Sequence, residues 1–406
     1  MMIHSTLSAL SLNITDGKHG DCENSPTSGY YFISCKDVRD GTIHYEDARQ
    51  ITERDFFDAH KRTLLEPNDI LITNSGTIGR MAFVTDTPQT SKTTFQKSVA
   101  IVKPNPNKII PKYLYYVLLN SIDSFITQAN GSAQKNLLLS TMRSFNLFID
   151  DDKQVQARIA SILSSYDDLI ENNQKQIKLL EEAAQRLYKE WFVDLRFPGW
   201  EKTKIVDGVP EGWEKTTISS VSSVLRRGIS PKYNDNATFT VINQKCIRQT
   251  IVDFSESRKQ EKTFSSEMAL IDSDTVICST GAGTLGRVGQ IFGSPTNATF
   301  DSHVTLVRTN GRIGAQLLFQ SLKDQQTYLQ DSGKGSTNQL ELGRTIIAEC
   351  PVFIPSEPVS KHFEVLVQPI HDLISKISQL VLLLQNSKDM MLSKLMNENT
   401  EEHHAS

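Results

Sequence analysis

A glycine-rich stretch, STGAGTLGRVG at residues 279–289, contains the pattern G-x-G-x-x-G between Gly281 and Gly286. In dinucleotide-binding domains this pattern opens a helix whose N-terminus holds a pyrophosphate, and an acidic residue follows about 20 positions later. Here the residues RVGQIF that follow the loop favour a β-strand, because they are rich in branched and aromatic types. The pattern therefore predicts a strand-to-strand turn, and a nucleotide-binding enzyme that uses the Gly281–Gly286 loop is the alternative.

A second copy of this loop lies earlier in the chain, within a repeat of four blocks. The blocks recur in one order at offsets of 204 to 207 residues: LEPNDILITNSGTIGRMAFV (65–84) with LIDSDTVICSTGAGTLGRVGQIF (270–292), TFQKSVAIVKPN (94–105) with TFDSHVTLVRTN (299–310), GSAQKNLLL (131–139) with GSTNQLELG (335–343), and VQARIASILSSYDDLI (155–170) with VSKHFEVLVQPIHDLI (359–374). The first copy keeps Gly76, Thr77, Gly79 and Arg80 but has no G-x-G. The shared glycines are therefore expected to permit a tight turn whose backbone can approach a partner.

Four blocks repeated in one order indicate a tandem duplication. Each copy begins with short strands, turns and one or two helices, and it ends in a long helix. The sequence predicts an α+β fold with two similar domains at 1–150 and 201–357, a central helix at 151–200, and a C-terminal helix and tail at 358–406. Each predicted domain, at roughly 150 residues, is large enough for its own hydrophobic core.

The two long helices carry a heptad-like stripe of apolar residues. A helix of about 40 residues is roughly 60 Å long. If the helices pair antiparallel, the duplication becomes a pseudo-twofold axis and holds the two domains a fixed distance apart. The residues expected in the helix seam or in partner docking are Leu169, Asn173, Ile177, Leu180, Leu187, Tyr188, Trp191, Phe192, Leu373, Ile377 and Leu384. For the aromatic members, packing against the second domain is the alternative to partner docking.

Composition indicates a globular protein, since 38% of the residues are hydrophobic and 22% are charged. The formal net charge of −4 does not exclude nucleic acid, because a neutral domain can still carry one basic face. No apolar run approaches the ~20 residues of a membrane helix, and the N-terminus does not resemble a signal peptide. The five cysteines form no CxxC pair, so we expect reduced thiols in a cytoplasmic protein without a metal site.

The central segment LIENNQKQIKLLEEAAQRLYKEWFVDLRFPGWE (169–201) resembles the central region of specificity subunits of type I restriction–modification systems. Within it, LYKEWF to RFPG (187–199) is highly specific to that family, and NDILITNSGTIGR (68–80) resembles a second signature. The resemblance covers the whole chain: a target-recognition domain, a spacer helix, a second target-recognition domain and a second spacer helix. The second helix departs from the pattern, because it has KDMMLSKLMNENT in place of LYKEWFVDLRFPG.

The resemblance implies a non-catalytic subunit that binds double-stranded DNA, with each domain reading one half of a bipartite site and the helices setting the gap. It also implies two methyltransferase subunits, which methylate adenine N6 with S-adenosylmethionine, and restriction subunits that use ATP and Mg. No catalytic residue and no cofactor is therefore expected on this chain, whose nearest string to the methyltransferase motif N-P-P-[YFW] is NPNK (105–108). A coiled-coil scaffold without DNA affinity is the other alternative.

Polar residues in and beside the repeated blocks are the candidates for DNA contact. Arg80 and Arg287 close the glycine loops, where each could clamp a phosphate or read guanine, or instead form an ion pair that supports the turn. Amides suit adenine and basic side chains suit phosphates, although turn capping and surface polarity explain the same residue types. The candidates are Lys18, His19, Thr73, Asn74, Ser75, Thr77, Arg80, Gln96, Lys97, Ser98, Gln134, Lys135, Asn136, Arg226, Arg227, Lys232, Ser279, Thr280, Thr284, Arg287, Ser302, His303, Asn338 and Gln339. Residues 96–98 differ from 301–303 on a shared frame, as expected of two readers of different half-sites, and ordinary loop drift is the alternative.

Overall fold

The computed structural model describes residues 2–127, 136–248, 250–281, 283–293, 295–335 and 340–401, with side chains through Met396. The chain forms two compact units, one of Met1–Glu171 with Leu383–Ser406 and one of Asn172–Leu382. Each unit mixes helices and strands around a four-stranded antiparallel sheet. The prediction of an α+β fold with two similar halves is confirmed. The finer domain boundaries at 150, 200 and 357 stay predictions.

The first unit starts with strands and short helices that precede a long helix. In chain order these are β1 (Met2–Thr6), β2 (Ser11–Asp16), β3 (Tyr31–Ile33), β4 (Val38–Arg39), β5 (Thr42–Ile43), α1 (Glu53–Thr63), β6 (Ile70–Thr73), β7 (Met81–Phe83), β8 (Thr93–Phe95), β9 (Val99–Pro104), α2 (Pro111–Asn120), α3 (Ile122–Thr127), α4 (Leu139–Ser144) and β10 (Asn146–Asp150). The sheet order is β2–β9–β6–β7, while β3 pairs with β8 in parallel, β1 with β10, and β4 with β5.

The long helix α5 (Lys153–Tyr188) follows, and it continues into a π-helical turn at Lys189–Val193. The second unit then contains, in chain order, β11 (Ile205–Val206), β12 (Val209–Pro210), β13 (Glu214–Thr217), β14 (Ser222–Arg227), β15 (Phe239–Ile242), β16 (Arg258–Gln260), β17 (Thr275–Cys278), β18 (Val288–Gln290), β19 (Ala298–Phe300), β20 (Val304–Thr309), α6 (Ala315–Asp324), α7 (Gln326–Asp331), α8 (Arg344–Glu349), β21 (Pro351–Ile354) and the part of α9 (Glu357–Glu401) up to Leu382. Its sheet order β14–β20–β17–β18 repeats that of the first unit, as do the β15–β19 and β13–β21 pairs.

The central strand of each sheet is buried along its whole length because both faces of the sheet are covered. Successive side chains of a strand point to opposite faces. In β6, Ile70 and Ile72 enter one hydrophobic core while Leu71 enters another. In β17, Ile277 enters one core while Val276 and Cys278 enter another. A continuous apolar run such as ILIT is therefore expected at this place in both copies.

The long helices contribute to the core of each unit with different segments. In the first unit, Ile159 and Leu163 from the start of α5 share a core with Leu392 and Met396 from the end of α9. In the second unit, residues from the end of α5, among them Tyr188, share a core with Phe363 and Val367 from the start of α9. Burial of these side chains stabilises helices that would be marginal in isolation. None of the described helices is both long enough and apolar enough to cross a membrane.

Candidate nucleic-acid interface

Each glycine loop is the hairpin turn between two antiparallel strands, β6 to β7 and β17 to β18. The Gly79 N–H donates to the Thr73 carbonyl (2.9 Å), and the Gly286 N–H donates to the Cys278 carbonyl (2.8 Å). No helix begins at the last glycine, so the helix N-terminus that a pyrophosphate needs is missing from this turn. The strand-to-strand prediction is confirmed, and the dinucleotide alternative is not supported.

The last glycine of each turn has a positive φ and lies close to the helix that packs behind it. Gly286 has φ +73°, and a Cβ there would lie 2.6 Å from the Gln330 backbone nitrogen in α7. Gly79 has φ +92°, and a Cβ there would lie 2.8 Å from Cδ1 of Ile122 in α3. By contrast, Gly283, which completes the G-x-G, faces open space. The shared glycines thus serve backbone geometry and packing.

In the first unit, the turn is joined by hydrogen bonds to two other predicted polar segments. The Asn74 N–H donates to the Ser98 carbonyl (3.0 Å), and the Leu137 N–H donates to the Asn74 carbonyl (2.8 Å). Ser75 and Asn136 form an isolated β-bridge. Lys18 adds a fourth segment through a bridge to Gln96. Candidates that are far apart in sequence therefore lie together at the end of the sheet where the glycine turn begins.

The second unit builds the same junction with different side chains. The Ser279 N–H donates to the His303 carbonyl (2.8 Å), and the Leu342 N–H donates to the Ser279 carbonyl (2.9 Å). Thr280 bridges Glu341, and its hydroxyl lies 2.6 Å from Nδ1 of His303. The hydroxyl of Thr284 donates to the Thr280 carbonyl (3.1 Å) and thereby braces the turn.

The bridges correct the sequence alignment of the third block by one residue. The sequence alignment at an offset of 204 makes Asn136 equivalent to Leu340. The backbone pairing in the two units instead makes Asn136 equivalent to Glu341 and Leu137 equivalent to Leu342. Sequence reasoning therefore missed Glu341, which pairs with Arg227. Arg227 also donates to the Leu342 carbonyl (2.8 Å), which fastens the end of β14 to the junction. The register of strand pairing would have identified Glu341, but it cannot be read from the sequence alone.

The arginines that close the two turns have no ion-pair partner among the described residues. In the part of the chain that the structure describes, no carboxylate lies within salt-bridge distance of the Arg80 or Arg287 guanidinium. Both side chains are half-buried. The sequence left open whether these arginines support the turn through an ion pair or face a ligand. The structure gives the ion-pair alternative no partner among these residues.

Two of the candidate residues use their hydroxyls for hydrogen bonds inside the junction. Thr73 and Ser279 are fully buried. The Thr73 hydroxyl donates to the Thr77 carbonyl (2.5 Å) and accepts from the Arg80 N–H (2.9 Å), and the Ser279 hydroxyl pairs with that of Thr305 (2.5 Å). Neither hydroxyl is left to reach a base in this conformation. In contrast, Asn74 Oδ1 and Ser98 Oγ are buried atoms with no hydrogen-bond partner among the described residues.

Charged groups around the junctions are partly neutralised by neighbours. Lys18 donates to Asp58 (2.7 Å), and this hydrogen bond raises the pKa of Lys18. His19 lies 2.9 Å from Asp16. Burial raises the pKa of Asp301, whose carboxylate accepts from the His303 N–H at 2.9 Å. Lys97 and Thr77 are exposed, as is His303.

Other candidates lie elsewhere or outside the described residues. Arg226 faces Glu267 (3.7 Å), and Lys232 pairs with Glu261, so neither is placed at the junction by a contact. Ser302 is half-buried within the loop that ends at His303. The candidates Gln134, Lys135, Asn338 and Gln339 lie outside the described residues.

The candidates on the long helices divide into buried and exposed groups. Tyr188, Trp191 and Phe192 lie in the core of the second unit, where Phe192 packs edge-on against Phe363 with ring centroids 4.9 Å apart. The further members of the buried group are Asn173, Ile177 and Ile377, while Leu180, Leu187 and Leu384 are half-buried. Leu169 and Leu373, which occupy equivalent positions in the repeat, are exposed. The aromatic residues therefore pack with the second unit, and Leu373 lies on the exposed surface of α9.

Comparison with known proteins agrees with this geometry. Residues 19–182 match the family model of the type I restriction modification DNA specificity domain. The chain is 24% identical over 362 residues to the type I restriction enzyme MjaIX specificity subunit of Methanocaldococcus jannaschii, covering 86% of this chain and 81% of that protein. It is 22% identical over 373 residues to the HindI specificity subunit of Haemophilus influenzae, covering 73% and 79%. The crystal structure of the S subunit from M. genitalium has the same fold, with a TM-score of 0.55, 15% identity and coverage of 97% and 96%.

A duplicated polar junction beside a matched specificity domain is consistent with a protein that recognises DNA sequence. Most of the chain is therefore similar to specificity subunits of type I restriction–modification systems, and residues 19–182 match their DNA specificity domain.

Proposed function

We propose that each unit reads one half of a bipartite site in double-stranded DNA, through the junction of its glycine turn, its 96–98 or 301–303 loop, and its 136 or 341 segment. The observation that carries this proposal is the repetition of one backbone junction with different side chains. Gln96, Lys97 and Ser98 in the first unit stand where Asp301, Ser302 and His303 stand in the second. A constant frame with variable polar groups suits readers of two different sequences.

Arg80 and Arg287 are the constant elements of this proposed readout. A guanidinium offers several donors in a fixed fork, which matches a phosphate or the O6/N7 edge of guanine. Both arginines lie at the same step of the turn and neither is held by a carboxylate among the described residues. We therefore assign them to DNA contact in both half-sites.

The exposed apolar face of α9 supports docking of methyltransferase subunits. Leu366, Leu373 and Leu380 recur at a seven-residue spacing and are 41%, 45% and 44% exposed, although leucine is usually buried. Leu169 on α5, equivalent to Leu373, is 49% exposed. The repeat-related positions on α5 are Ile162, Leu169 and Gln176, so the stripe of three exposed leucines belongs to α9. Adenine methylation with S-adenosylmethionine, and ATP- and Mg-dependent restriction, then belong to partner subunits.

Domain exchange tests the proposal. Residues 212–357 are replaced by the matching domain of another family member, and methylated adenines are mapped in a host that supplies the methyltransferase. One half of the methylated sequence should change and the other half should stay. A change in both halves would contradict independent reading. As a matched control, four residues added to α5 at an exposed position should alter only the gap.

A further inference from the structure

The second unit contains a polar cavity of about 190 Å³ whose lining includes none of the candidate DNA-contact residues. It lies among the end of α5, strand β18, helix α6 and the start of α9. Its polar lining includes Glu181, Gln290, Gln316, Gln320, Lys323 and His371. Phe292 and Phe319 add aromatic walls, and the exposed residues Lys178 and Glu182 stand at its rim.

The equivalent place in the first unit is filled by side chains. The Tyr116 hydroxyl donates to Asp167 (2.5 Å), and Lys388 lies 2.5 Å from the same carboxylate. Lys112 lies 3.4 Å from Asp167 and covers the ring of Phe83, with Nζ 4.4 Å from the ring centroid. Large side chains and mutually satisfied charges thus close this region.

The repeat shows what replaces that cluster in the second unit. Helices α2 and α6 correspond residue by residue, so Lys112 becomes Gln316 and Tyr116 becomes Gln320. The remaining substitutions are Phe83 to Gln290, Asp167 to His371 and Lys388 to Ala184. A tyrosine and a phenylalanine are replaced by glutamines, and a lysine by alanine. The space is therefore built into this copy of the duplicated frame.

Three buried side chains around the cavity each keep one polar atom that has no partner among the described residues. Gln316, Gln320 and His371 are at least nine-tenths buried. The atoms Gln316 Nε2, Gln320 Oε1 and His371 Nδ1 have no hydrogen-bond partner among the described residues. Burial raises the pKa of Glu181 to about 7 and lowers the pKa of Lys323. Unsatisfied buried polar groups are costly, so a partner is expected here.

We propose that this cavity binds a small, neutral, planar heterocycle of nucleobase size with neighbouring hydrogen-bond donors and acceptors. An apolar cavity of about 150 Å³ accommodates benzene, so the present volume suits a heteroaromatic ring system. The side-chain amides of Gln316 and Gln320, one helical turn apart, offer the paired donor and acceptor that a heterocyclic amide or amidine edge requires. The opposite charges of Glu181 and Lys323 leave the lining without a strong preference for an ion.

Isothermal titration of the full chain with adenine, and with benzene as the apolar comparison, tests this site. We expect saturable adenine binding that Gln320→Met, which keeps the side-chain length but removes the amide, weakens about tenfold. Gln320→Tyr, which restores the residue of the first unit, should abolish it. The matched control is Gln368→Met on the exposed face of α9, which should bind adenine as the unchanged chain does.

Three results would overturn the proposal: no saturable adenine binding, benzene binding as tightly as adenine, or equal adenine affinity in Gln320→Met. The last outcome means that adenine binds elsewhere and that the cavity holds water only. If Gln320→Tyr fails to fold, as judged by its circular dichroism spectrum, Gln320→Met still decides the question. None of these outcomes depends on DNA recognition by the two junctions.

Discussion

Substituting alanine for Gly286 should destabilise the second unit far more than the same change at Gly283. Both glycines lie in one turn at similar angles, φ +73° and φ +78°. An L-residue in the left-handed region costs about 1–2 kcal/mol at either position. At Gly286 the new Cβ would also lie 2.6 Å from the Gln330 nitrogen and 2.8 Å from its Cα, whereas at Gly283 it meets open space. Forcing this backbone apart adds about 1–3 kcal/mol.

The unfolded chain loses entropy in both variants, which offsets about 0.4–1 kcal/mol of the loss. We therefore expect a loss of about 3 kcal/mol for Gly286→Ala and about 1 kcal/mol or less for Gly283→Ala. Urea unfolding followed by tryptophan fluorescence measures this directly, because Trp191, Trp200 and Trp213 all belong to the second unit. Gly79→Ala extends the comparison to the first unit, where the obstacle is the end of the Ile122 side chain, which can move. Its unfolding is followed by circular dichroism, because all three tryptophans belong to the second unit.

Equal losses at Gly286 and Gly283 would refute this reasoning. They would mean that the contact with α7 is not the reason for the glycine. If the unchanged chain bound a nucleotide saturably and only Gly283→Ala abolished that binding, the result would support the dinucleotide-binding alternative.

The remaining predictions concern charge. Arg80→Ala and Arg287→Ala should each weaken DNA binding about tenfold in gel shifts. Each should also reduce the slope of log affinity against log salt concentration by about one, the value expected for one lost phosphate contact. Arg312→Ala is the control and should have little effect, because Glu214 holds its guanidinium (2.8 Å). Asp274→Asn should lower the free energy of unfolding in urea by about 3 kcal/mol, because Arg308 stays buried without its counter-ion. The equivalent change Asp69→Asn should lower it less, because Lys103 still contacts Glu66 and the Leu64 carbonyl. Because the pKa of Glu181 is raised from 4.5 to about 7, the folded chain binds its proton more tightly, so this group's contribution to stability is present below pH 4.5 and is lost as the pH rises through 7. Glu181→Gln should remove that slope and stabilise the chain by up to about 3 kcal/mol at pH 8, and an unchanged slope in thermal melts would contradict it.

The repeat made most of the fold predictable. Matching blocks such as ILIT and TVIC fixed the central strands, because two apolar faces require a continuous apolar run. The turn was predictable because the first copy lacks the G-x-G that made the second resemble a nucleotide loop. The spacing of the helical stripe likewise predicted the long helices observed at Lys153–Tyr188 and Glu357–Glu401.

The details of the junction were beyond the sequence. A threonine or serine after a strand looks the same whether its hydroxyl faces solvent or, like those of Thr73 and Ser279, serves the interior. The pairing of Thr280 with Glu341 requires a one-residue shift in the alignment of the third repeated block, which the sequence alone does not reveal. The cavity beside Gln320 arises from four separate segments, and only their packing reveals that no side chain fills it.

The most direct test of the central claim is a genome-wide map of N6-methyladenine in a host that carries this chain and its methyltransferase subunit. Two independent readers on one frame predict that every methylated site has two specified blocks separated by an unread gap of constant length. A single uninterrupted block, or gaps that vary from site to site, would contradict the account.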